Sequence, residues 1–68
     1  MNEETLNMET RRFLKKVGIT AQREIEHAVE RAVAEGRLRG DENLEAKMTL
    51  EVPALGIRHT IEGSIALE

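Results

Sequence analysis

Near residue 43 the apolar residues of this chain change rhythm. Before it they recur every three or four positions: Leu6, Phe13, Leu14 and Val17, with Thr10 on the same stripe, then Ile25, Ala28, Val29, Ala32 and Val33. After it they alternate with polar ones. Leu44, Ala46, Met48, Leu50 and Val52 are separated by Glu45, Lys47, Thr49 and Glu51. Ile57, His59, Ile61, Gly63, Ile65 and Leu67 are separated by Arg58, Thr60, Glu62, Ser64 and Ala66. The first spacing gathers side chains on one face of a helix, the second on one face of a strand. The fold class is therefore α+β, helix first and sheet second.

Local punctuation divides the helical part in two. Glu3 and Glu4 stand at the start of a first stretch and Lys15 and Lys16 at its end, as the helix dipole favours. Gly18 is placed to take the left-handed conformation that stops a helix. Thr20 then reads as the N-cap of a second one. The expectation is a helix over about 3–17, a helical corner through Gly18 and Ile19, and a helix over about 21–35 ended by Gly36. A polar connector, 36–43, follows, with Leu38 tucked under the helix end.

Pro53-Ala54-Leu55-Gly56 is a turn signal between strands of about 44–52 and 57–67. Placing Val52 opposite Ile57 sets Leu50 against His59, Met48 against Ile61, Ala46 against Gly63 and Leu44 against Ile65. On the other face it sets Glu51 against Arg58, Thr49 against Thr60 and Lys47 against Glu62, the opposite charges and matched threonines that favour a sheet. A slip of two residues keeps the faces but loses both charge pairs.

A lone two-stranded hairpin is marginal in water. The face made by Leu44, Ala46, Met48, Leu50, Ile57, Ile61 and Ile65 should therefore lie under the second helix. The predicted architecture is two helices followed by a hairpin, ααββ, in one domain over 1–68. Its strand edges stay open, and pairing one edge with its copy in a second chain would extend the sheet across a homodimer.

Sixty-eight residues with Phe13 as the sole aromatic make a small core. Ordering each residue costs roughly 1.5 kcal/mol, so a chain this short opposes its own folding by roughly 100 kcal/mol. Without cysteine there is no disulfide to help and no thiolate for zinc. Small domains of this kind often gain stability by associating. The expectation is a homo-oligomer.

The formal charge of -3 argues against a general binder of nucleic acid or anionic membrane. The opening Met1-Asn2-Glu3-Glu4 has neither the basic region nor the apolar run of a secretory signal. No apolar stretch approaches the ~20 residues of a membrane span. The expected location is the cytoplasm.

Several segments together are familiar: Met1-Asn2-Glu3-Glu4 with Leu6-Asn7-Met8, then Arg12-Phe13-Leu14-Lys15-Lys16-Val17-Gly18-Ile19-Thr20, Gln22-Arg23-Glu24-Ile25-Glu26 and Ala46-Lys47-Met48-Thr49-Leu50. In these the chain resembles a family of short bacterial proteins catalogued only as a domain of unknown function. The resemblance implies a conserved stand-alone protein. It supplies no activity, cofactor or catalytic residue.

Candidate sites are few. His27 should face solvent, while His59 falls on the apolar face of the second strand. No His-x-x-x-His or Glu-x-x-His spacing offers a metal site. His59 reads best as a half-buried sheet residue, and its functional version is a pH-sensitive interface. Arg11, Arg12, Lys15 and Lys16 make the strongest charge signal and are the candidate nucleic-acid contacts. With a helical corner and a hairpin they suggest a winged helix-turn-helix, but Glu24, Glu26, Glu30 and Glu35 would turn an acidic surface to the phosphates. Met8 and Leu55, apolar and off the core stripes, are candidate interface residues with His59. Ser64 lacks a nucleophile's context, no Gly-rich phosphate loop is present, and 68 residues leave no room for a sizeable pocket within one subunit, so an enzyme site would have to form between subunits. The function these residues favour is a non-enzymatic, cofactor-free interaction or structural module whose partner is itself or another protein. The alternative is a nucleic-acid accessory protein.

Overall fold

The computed structural model describes residues 1–68 and divides into two units, Met1–Arg37 and Leu38–Glu68. The first unit is a single helix, α1 (Glu3–Ala34), of 32 residues, about 48 Å long at 1.5 Å per residue. Asn2 caps its start: the side-chain oxygen accepts the backbone N–H of Glu4 at 2.9 Å and of Thr5 at 3.1 Å. Two of the otherwise orphaned first-turn donors are thereby satisfied. Glu3 and Glu4 lie in the first turn and Arg31 in the last, each with the sign the dipole favours. The end comes at Gly36, as expected. Its φ of 77° lets Gly36 donate its N–H to the carbonyl of Val33 at 3.1 Å and Arg37 donate to that of Ala32 at 2.8 Å. This is a Schellman closure, and it needs a residue without Cβ at the left-handed position.

The expected break at Gly18 does not occur. There is one helix, not two; Gly18 has no positive φ, and Thr20 lies inside the helix rather than capping it. The predicted helical corner goes with the break. A glycine in a helix interior costs about 1 kcal/mol relative to alanine. Stopping and restarting the helix there would orphan up to four carbonyls and four amides with only Ile19 between the caps. The apolar stripe also stays in phase, since Val17 to Ala21 is a step of four. Continuing is the cheaper course.

The second unit is an antiparallel hairpin, β1 (Asn43–Val52) with β2 (Ile57–Ala66), in a two-stranded sheet. Its register is the predicted one at every pair from Leu44 with Ile65 to Val52 with Ile57. The outward pairs are in place: Glu51 lies 3.6 Å from Arg58, Lys47 3.7 Å from Glu62, and the hydroxyls of Thr49 and Thr60 3.3 Å apart. Exposed pairs like these stabilise little individually. Their value is in register, because a slip would separate them all. Leu67 prolongs the ladder by donating its N–H to the carbonyl of Glu42 at 3.0 Å.

The turn is a single 3₁₀ turn, Pro53–Leu55, closed by Gly56 at φ 66°, whose N–H reaches the carbonyl of Pro53 at 3.0 Å. A left-handed backbone penalises any side chain with a Cβ. Gly56→Ala should therefore destabilise the hairpin by about 1 kcal/mol, read as a lower thermal midpoint with unchanged strand content below it.

Candidate interaction surfaces

A folded chain ordinarily hides its large apolar side chains. Here the one buried residue is Ala32, at 5% exposure, and no large side chain is fully buried. On α1, Leu6, Phe13 and Leu14 are each more than half exposed, while Val17 and Ala21 are half-buried. On the hairpin, Leu44, Ala46, Leu50 and Val52 of β1 are half-buried, but Met48, Ile57 and Ile61 are exposed. Each element thus carries large apolar side chains that are exposed. The outer edges of β1 and β2 form a third surface, since a two-stranded sheet leaves one row of backbone groups unpaired on each strand.

The residues singled out from sequence are distributed over these surfaces. Met8 lies on the side of α1 away from the Leu14–Val17 stripe and is exposed, with Ile19 eleven residues on along the same side. Leu55 stands at the hairpin tip at 69% exposure. His59 sits opposite Leu50 as predicted but is exposed, not half-buried. Arg11, Arg12, Lys15 and Lys16 are exposed on two successive turns of α1, spread around the side away from the apolar stripe. Of the four, Arg12 is held by Glu9 at 3.5 Å. His27 lies on the helix and His59 on β2, and no three histidine, aspartate or glutamate side chains converge as a metal site would require.

A polar turn just ahead of β1 is structural. One oxygen of the Glu42 carboxylate accepts the N–H of Arg39 and the other that of Gly40, both at 2.9 Å. Gly40, at φ 106°, turns its amide toward the acid. These bonds, Arg39 first, hold the Glu42 carboxyl below its ordinary range, against a smaller opposing effect of desolvation. A carboxyl with a depressed folded-state pKa stabilises the fold above its unfolded pKa, and that contribution is lost as pH falls through the folded value. Glu42→Gln should accordingly lower the thermal midpoint near neutral pH. The gap from the parent should close in acid, once pH falls below the ordinary carboxylate range.

The chain matches the model of the family described as Family of unknown function (DUF6494) over residues 1–68, and it belongs to that family. No curated protein and no solved structure matches it. No helix is long and apolar enough to cross a membrane.

Proposed function

We propose that this chain is a cytoplasmic, non-enzymatic module that acts by associating with copies of itself. The observation that carries the reading is the uncovered apolar surface: a sole aromatic more than half exposed on a long helix, and a hairpin whose Met48, Ile57 and Ile61 face water. Burying such surface releases roughly 25 cal/mol per Å², the largest stabilising contribution still open to the chain. Association would supply the missing core, and the free strand edges provide a second means of joining copies by extending the sheet. Folding coupled to association makes the melting point depend on concentration. The midpoint should rise with each tenfold increase in protein; a midpoint independent of concentration would oppose the proposal.

The nucleic-acid reading draws less support. Within α1 six basic residues are matched by six acidic ones, so the helix as a whole offers a phosphate backbone no net attraction. Its mark would be retention on heparin at low salt, abolished when Arg11, Arg12, Lys15 and Lys16 are replaced by glutamine.

A further inference from the structure

We infer that two copies join their hairpins edge to edge through β2, antiparallel over Ile57–Gly63, with the two-fold axis passing through Thr60. This rests on the self-association reading and names the edge and its register.

The edge is accessible. Every residue of β2 from Ile57 to Ser64 is exposed, whereas Leu44, Ala46, Leu50 and Val52 of β1 are half-buried. β2 pairs with β1 along one side only, so its other side carries a row of backbone N–H and C=O groups with no strand to bond. β2 also lacks the residues that commonly blunt such an edge. β1 has Lys47 near its middle, Glu45 and Glu51 on either side of it, and Pro53 directly after the strand; β2 has neither lysine nor proline.

Charge sets the register. An axis through Thr60 places Arg58 opposite Glu62 of the second copy, and Glu62 opposite its Arg58. Within one hairpin Arg58 already stands beside Glu51 at 3.6 Å and Glu62 beside Lys47 at 3.7 Å. Joined at this register, the outward face carries two rows of alternating charge, each running Glu51–Arg58 in one copy and Glu62–Lys47 in the other. The row between them joins the Thr49–Thr60 pair, whose hydroxyls lie 3.3 Å apart, to its own copy. Cross-strand pairs of opposite charge and of threonines are those that favour a sheet. On the other face His59 comes opposite Ile61, and Ile57 opposite Gly63.

Other pairings fit less well. An axis through Ile61 would match Ile57 with Ile65, but it leaves Arg58 opposite Ser64 and makes the two Glu62 side chains diagonal neighbours. An axis through Glu62 opposes those carboxylates directly, and like charges so placed destabilise a sheet. On β1 an axis through Thr49 pairs Lys47 with Glu51, but one through Ala46 pairs Lys47 with Glu45. That edge therefore does not single out one register.

The chain has no cysteine, so single cysteines in the full chain report the pairing under mild oxidation. Thr49 and Thr60 are both exposed, and exchange at such sites disturbs the hairpin little. Thr60→Cys should link to its own copy, because residues on the axis face each other across one strand spacing. Thr49→Cys should not, because two copies of that site lie three spacings apart, about 14 Å. Arg58→Cys mixed with Glu62→Cys should link. Linking of Thr49→Cys in place of Thr60→Cys would establish pairing through β1. Linking of Ile61→Cys in place of Thr60→Cys would establish a register centred one residue on. Either result would overturn the inference while leaving self-association standing, as would a dimer by sedimentation that links at none of these sites. A monomer by sedimentation would overturn both.

Discussion

Phe13→Ala should weaken self-association by about 100-fold or more while leaving the helix-forming tendency of the separated chain slightly higher. In one chain Phe13 is 51% exposed on a helix. Alanine is the better helix former, so for an isolated chain the substitution is close to neutral or mildly favourable. In an assembly that covers this side of the helix the ring is buried in each copy. Truncating a buried phenylalanine costs about 3–5 kcal/mol, and about 2.7 kcal/mol corresponds to a 100-fold change in dissociation constant. The two states thus respond with opposite sign. Sedimentation gives the dissociation constant and far-ultraviolet circular dichroism the helix content. An unchanged constant would remove Phe13 from the interface.

Ile61→Lys should lower the thermal midpoint by about 10–20 °C, from a loss of about 2–3 kcal/mol in a domain this small. Ile61 faces Met48 across the sheet and, in the single chain, is 56% exposed. At a site that stays in water, exchange for lysine is usually worth less than about 0.5 kcal/mol. A large loss requires that the hairpin face be covered in solution. Lysine would then bring an ammonium against apolar side chains and either separate the copies or unfold the strands. A variant that melts with the parent would show that this face remains solvated.

Much of the fold was legible from the residues. The hairpin was legible in full because three independent signals agree at one register: alternation of apolar residues, opposite charges at Glu51–Arg58 and Lys47–Glu62, and a four-residue turn ending in glycine. The helix was legible in content but not in continuity. Gly18 and Thr20 are good local caps, and reading them singly gave weight to a stop that the chain passes through. The contrary signal was present in the phase of the stripe, which steps from Val17 to Ala21 without a break. Had a helix ended at Gly18, a second one would have been under no constraint to resume on the same face. The same phase hid the length of the apolar face: divided in two, the stripe reads as two short core faces, whereas joined it is one long face. Exposure was beyond reach of pattern alone. Alternation says which side of β2 carries Ile57, His59 and Ile61, but not that the side is open.

Sedimentation equilibrium of the full chain over a wide range of concentration tests association directly. The expected result is a mass of at least twice the 7.7 kDa chain at high concentration, declining on dilution in step with the loss of helix and strand signal. A folded species of 7.7 kDa at every concentration would contradict it.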